Sequence, residues 1–268
     1  MDLVTLKGQP ASTLGLAGYQ AMDSSCAALA FEAGVNCFFF YDFSHENLLK
    51  GLKPIVATER EQLLVATGSV ERNIGKLQQY LEQVQCYLDL DVIDVFFAEY
   101  VNPSDDIAQI WAILDELYAW KEKGLIRYVG ATTHNRAIAL ELIKSGKCEV
   151  LMHRYNMAHC KAQEQVFPMA QQAGIPVVAF TCTRWGQLLQ GHRNWQGEIP
   201  KAADCYRYAL HQKAVRLALT APQTTAQLEE NLSVLQAPQL AAEEVEQWEE
   251  YGALVYGDGQ DRFETKWL

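Results

Sequence analysis

No apolar run in this 268-residue chain approaches the roughly 18 residues that a membrane-spanning helix needs. Basic residues are scarce: 22 Lys and Arg stand against 33 Asp and Glu, for a formal net charge of −11. A surface of that sign repels a phosphate backbone, so nucleic acid is not an expected partner, nor is a membrane. The opening "MDLVTLKGQP" has neither a basic segment nor an apolar core, and no export signal is expected from it. CxxC pairs are also missing among the seven cysteines at 26, 37, 86, 148, 160, 182 and 205. An odd count without paired spacing points to reduced thiols and a cytoplasmic setting. Low-complexity stretches and linkers are absent, and 268 residues suit one large α/β domain spanning 1–268.

What the chain has is alternation. Short runs dense in Val, Ile, Leu and Phe are followed by amphipathic runs, eight times over. The apolar runs are Ser12–Leu16, Cys37–Tyr41, Leu63–Thr67, Val92–Tyr100, Ile126–Thr132, Val150–Tyr155, Pro176–Thr181 and Val215–Thr220. They mostly lack polar alternation, as strands buried on both faces do in a parallel sheet covered by helices. Between them, Ile74, Leu77, Leu81, Val84 and Leu88 step by three and four, which predicts a helix over Ile74–Leu88. Ile107, Ile110, Leu114 and Leu117 predict another, ended by Gly124. Further helices are expected at Ser24–Ala33 with serine caps, His45–Ile55, Ala137–Lys144, Ala162–Gln172, Ala202–Gln212 and Ala226–Leu235. Eight such units predict a (β/α)8 TIM barrel. An N-terminal β-hairpin, its second arm weakened by Pro10, is expected to close the floor, and an extra C-terminal helix to run over Ala241–Tyr251.

Barrel chemistry sits at the C-terminal ends of the strands, and polar residues gather there. Glu99 follows "VFFA", where a partly buried carboxyl has a raised pKa and can exchange a proton near neutrality. A salt bridge to Arg154 is the structural alternative. Tyr41, Asp42 and His45 share one loop, and Asp42 equally suits a turn or cap. His153 and Arg154 end one strand, so alternation sends one inward and the other outward. His134 is a ligand, a base or a helix cap; Arg184 holds an anionic group or stacks on Trp185. Tyr100 and Thr132 complete the substrate-facing set. Cys182 is the one cysteine at a strand's C-terminal end and is more simply a core residue. "HRYNMAHC" has the wrong spacing for a metal site, and "EEVEQWEE" reads as a solvated helix face.

Taken in order, "TLGLAG", "AFEAGVNCFF", "LDVIDVFF", "KEKGLIRYVGATTHN", "RYNMAH" and "QLEENLSVL" resemble the successive motifs of the aldo-keto reductase superfamily over nearly the whole chain. The resemblance implies a nicotinamide hydride delivered to a carbonyl, with a Tyr as acid tuned by Lys and Asp and a His nearby. Carried over by position, that Asp falls on Phe39, the Tyr on Ser44, the Lys on Gly68 and the His on Glu99. The pair that holds the carboxamide falls on Thr132 and Thr133, and the strand-six Gln on Met152. A one-residue slip would bring Tyr41 and Asp42 into play, at the cost of a bulge. The resemblance also implies cofactor contacts at Thr181, Gly186, Glu230 and Asn231. Ala221, Pro222 and Gln227 stand where a cation would grip a 2′-phosphate, so NAD(H) fits better than NADP(H) if either binds. Three functions follow: an acid/base enzyme with a rebuilt pocket acting on a small molecule, one that carries an anionic group; a nicotinamide-dependent oxidoreductase with a relocated proton donor; or a non-catalytic barrel.

Overall fold

The computed structural model describes residues 2–236 and 239–259. Eight parallel strands close into a barrel in sequence order: β1 (Leu14–Ala17), β2 (Cys37–Phe40), β3 (Leu64–Ser69), β4 (Ile93–Ala98), β5 (Ile126–Thr133), β6 (Val150–Arg154), β7 (Val177–Phe180) and β8 (Val215–Thr220). Around them lie α1 (Cys26–Glu32), α2 (Glu46–Glu59), α3 (Ile74–Leu88), α4 (Ile107–Glu122), α5 (Arg136–Ser145), α6 (Ala162–Gln172), α7 (Ala202–Leu210) and α8 (Thr225–Leu232). An additional helix, α9 (Ala242–Tyr256), extends beyond the repeat. The barrel and its outer ring are those read from the sequence.

Strand alternation divides the core in two. Phe38, Phe40, Phe96 and Trp120 pack between strands and helices. Cys37, Phe39, Leu64, Ala66, Val95, Phe97, Tyr128, Val150, Met152, Val178, Leu217 and Leu219 fill the lumen. Near-continuous apolar strands are therefore required, since each residue is buried on one face or the other.

The floor is closed by the N-terminal hairpin, whose arms meet in one antiparallel bridge, Val4 to Pro10. Proline has no N–H to donate. The arms are held instead by Thr5 N–H to Gln9 and Ala11 N–H to Leu3 carbonyls. Leu3 enters the lumen cluster. The buried carboxylate of Asp94 fixes this end: it meets Arg60 at 2.8 Å, Arg127 at 2.6 Å and the Val65 N–H at 2.8 Å. Arg127 in turn donates to the Val4 and Thr5 carbonyls.

Some boundaries differ from the sequence reading for identifiable reasons. Ser25 stands at the N-cap of α1 but makes no side-chain cap; its N–H and hydroxyl are given to Asp23 in the preceding turn. Ser12 lies outside β1 because its hydroxyl is bonded to Leu14 O and receives the Asn36 N–H. The acidic run on α9 is not wholly solvated: Trp248 is buried, and Glu249 accepts from Gln163 and Tyr208.

Removing a buried carboxylate that serves two guanidinium groups leaves both charges uncompensated. Asp94→Ala is expected to cost about 3 kcal/mol of unfolding free energy, measurable by urea denaturation at pH 7. A loss below about 0.5 kcal/mol, the usual range for a surface substitution, would contradict this account of the floor.

Candidate active site

The C-terminal rim of the lumen is defined by residues that alternate inward. β2 pairs regularly with β3, Phe39 opposite Ala66 and Phe40 opposite Thr67. No bulge interrupts β2, so the register slip does not occur; Tyr41 has the inward phase of Phe39 without one, the two ring centroids 6.3 Å apart. Phe39 points inward and packs edge-on against Phe97, their ring centroids 5.9 Å apart. Phe97 lies over Gly130, where an added Cβ would sit 2.3 Å from its ring. The mouth is thus walled by aromatic rings from β2 and β4, which meet across β3.

Glu99 follows β4 in the same inward phase and is 2% exposed. Its side chain lies over Gly68, where a Cβ would come within 2.7 Å of Oε1 and 2.5 Å of the Phe97 carbonyl. Glycine is therefore required at 68 for the carboxyl to occupy this place. Oε2 receives the Thr132 hydroxyl at 2.5 Å. Oε1 is buried with no hydrogen-bond partner. Arg72 does not pair with the carboxylate: it donates to the Glu99 backbone carbonyl and pairs with Asp105. Among the described residues no ion pair to Glu99 forms, so the Arg154 salt bridge is not made. Burial pushes the carboxyl up to about 7, and the Thr132 hydrogen bond and the Arg72 charge only partly oppose it.

Around this group stand Tyr41, His45, Tyr100, His134 and Arg154. Tyr41 is 41% exposed and meets the His45 ring edge-on at 4.6 Å. His45 is buried in space left by Gly18, where a Cβ would lie 2.5 Å from its ring. Burial lowers its pKa. Tyr100 has φ +53°, a left-handed conformation that turns the chain after Glu99 back onto Thr132. Burial raises the hydroxyl pKa of Tyr41 and of Tyr100, and the charge of Glu99 adds to both. His134 is not the cap of α5. Asn135 has that role, accepting from Ile138 N–H, while the His134 ring lies between Tyr100 and Phe180 at 5.3 and 4.9 Å. Arg154 shares the inward phase of Met152 and pairs across the sheet with Phe180.

Other candidates lie elsewhere. His153 has the opposite phase to Arg154 and is buried against the helices; burial pulls its imidazole down to about 3. Arg184 donates to the Val255 carbonyl and so fastens the end of α9 to the loop after β7. Asp42 accepts from the Ser44 N–H at 2.6 Å, a turn within its own loop. Cys182 is buried, its thiol pushed up to about 12, which rules it out as a nucleophile near neutrality. Among the described residues no cluster suits a metal ion. Sequence reading missed Gly18 as the seat of His45 and Arg72 as the anchor of the Glu99 backbone. A glycine beside a strand end was the available signal for the first; none marked the second.

A family model described as the aldo/keto reductase family matches residues 19–197. The chain belongs to this family. The fold agrees. The holo form of aldo-keto reductase AKR11C1 from Bacillus halodurans superposes with a TM-score of 0.76 at 18% identity, covering 95% of this chain and 97% of that one. An aldo/keto reductase from Klebsiella pneumoniae, solved with NADP and acetate, gives 0.76 at 13% identity, covering 94% and 95%. A search among curated proteins finds no match. No helix among the described residues is long and apolar enough to cross a membrane.

As an aldo/keto reductase the chain departs from what its resemblance implies for a dinucleotide. The segment opened by Gly186 is a four-residue 3-10 turn, Gln187–Gln190, too short for a helix-terminus anion site. The N–H groups of Gly186, Gln187, Leu188 and Leu189 are spent on Thr183, Arg184, Thr183 and Gly186 carbonyls. The Thr181 hydroxyl donates to Phe180 O, and the Asn231 amide to Thr220. Glu230 is exposed on α8. Thr132 is occupied by Glu99 and Tyr100, and the Thr133 hydroxyl accepts from Asn135 N–H. The turn after Gly186 and the engaged hydroxyls of Thr132 and Thr133 do not fit a dinucleotide held in the implied way, whereas Glu230 is exposed and Asn231 keeps a buried Oδ1 without a partner.

A carboxyl raised to about 7 in the folded chain binds its proton more tightly than in the unfolded chain. Its contribution to stability is full below the ordinary glutamate range and is lost as pH rises to about 7. The loss amounts to about 3 kcal/mol. Glu99→Gln is expected to remove this dependence, so the variant gains on wild type between pH 5 and pH 8 in paired urea titrations. A difference that stays constant across that range would contradict it.

Proposed function

We propose that this aldo/keto reductase family member is a small-molecule enzyme working by acid/base chemistry at Glu99, without the family's Tyr–Lys–Asp–His set. The observation that carries the reading is the buried carboxyl over Gly68, bonded at one oxygen and bare at the other. A carboxylic acid that keeps its proton near neutrality can donate it and accept it back, the behaviour a general acid/base catalyst needs. Tyr41, Tyr100 and His134 supply polar and aromatic contact at the rim. Arg154 holds an anionic group on the substrate. Phe39, Phe97 and Phe180 exclude water and keep the carboxyl desolvated. Seven free thiols support a reducing, cytoplasmic setting.

Membership of the family favours a second reading, a nicotinamide-dependent oxidoreductase in which Tyr41 or Tyr100 donates the proton. Under it NAD(H) is preferred, because Ala221, Pro222 and Gln227 offer no cation to a 2′-phosphate.

Fluorescence titration with NADH and NADPH separates the two. The acid/base reading expects no saturable binding up to about 1 mM, an affinity worth only about 4 kcal/mol; tight binding of either would favour the second. Turnover is then sought by mass spectrometry after incubation with mixed small anionic metabolites. Glu99→Gln is expected to lower any conversion by about 100-fold or more and to abolish a pH limb near 7. Full activity in that variant would sink the assignment. No conversion by wild type across such mixtures would favour a non-catalytic barrel.

A further inference from the structure

A carboxylic acid has two oxygens, and only one holds the proton it gives away. In Glu99 the two are made unequal by one hydroxyl. Thr132 Oγ1 receives the Tyr100 N–H at 3.2 Å and lies 2.5 Å from Oε2. A threonine hydroxyl has a single hydrogen. The hydroxyl takes the backbone N–H on one lone pair and gives that hydrogen to Oε2, which is thereby an acceptor. The backbone holds this arrangement from both sides. Glu99 N–H donates to the Ser69 carbonyl at 3.0 Å and Val101 N–H to the Thr132 carbonyl at 2.8 Å. Tyr100 adopts φ +53° between them, a conformation that side-chain-bearing residues avoid. The other oxygen, Oε1, is buried without a partner and packs against Gly68, where an added Cβ would lie 2.7 Å from it.

We propose that Thr132 is a positioning residue: it holds Oε2 as an acceptor and so assigns the exchangeable proton to Oε1, the oxygen packed on the Gly68 side of the lumen. The proposal rests on the reading of Glu99 as an acid. It differs from what the family resemblance implies for this position, where the side chain holds a carboxamide.

The test is a titration that needs no substrate. Protein labelled with 13C at glutamate Cδ is followed by NMR from pH 4 to 9, the Glu99 signal being assigned by its loss in Glu99→Gln. Thr132→Val removes the donor while keeping the volume, and its midpoint is expected to rise by about one pH unit. Thr132→Ser restores the donor and is expected to keep the wild-type midpoint. Thr132→Ala serves in place of the valine variant should that one fail to fold. An unchanged or lowered midpoint in the donor-less variant overturns the positioning role, as does a serine variant that shifts like valine. A wild-type midpoint in the ordinary glutamate range overturns the acid/base reading itself, so the two failures are distinct.

Discussion

The desolvation of one carboxyl organises the mouth of this barrel. Glu99 is held away from water among Phe97, Phe39 and the strands around it, and the residues beside it suit that placement. Gly68 is needed because any side chain there would meet the carboxyl and the Phe97 carbonyl. A lysine at 68 could not share the space, and an ammonium beside Glu99 would hold it ionised. An aspartate at 39 would add a second carboxylate to the same rim, and like charges in a desolvated site oppose one another. Phe39, Gly68 and Glu99 are therefore mutually compatible at this rim.

The rim is supported by structure that does not touch it. At the floor, Asp94 ties β3, β4 and β5 to the N-terminal hairpin through Arg60 and Arg127. At the other end, α9 is latched onto the loop after β7. Tyr251 donates to the Leu188 carbonyl, and Arg184 to Val255. Glu249 joins α9 to α6 and α7 through Gln163 and Tyr208. Groups placed on strand ends and braced in this way hold a defined geometry, which a proton-transferring residue requires.

Much of this was legible in the sequence because strand and helix periods are physical. The apolar runs located all eight strands, and the three-and-four stepping from Ile74 to Leu88 located α3 to the residue. Glu99 was legible because it ends an apolar strand. Alternation stated that only one of His153 and Arg154 could face inward, but not which; barrel closure supplies the phase, and it selects Arg154. The place of Arg184 was not legible, since it donates to a carbonyl 71 residues away on α9. Gly186 misled for a related reason. Glycine ahead of a polar run suits a helix N-terminus, yet the N–H groups of residues 186–189 are bonded to carbonyls of Thr183, Arg184 and Gly186.

The central claim is that Glu99 carries a proton near neutrality and does so facing the lumen. Infrared difference spectra between pH 5.5 and 8.5, wild type against Glu99→Gln, measure this directly through the stretch of a protonated carboxyl group. The account predicts a band present in wild type and absent from the variant, which fades with a midpoint near 7 and keeps the narrow width of a carboxyl shielded from water. No such band at pH 5.5, or one with a midpoint in the ordinary range for glutamate, would contradict it.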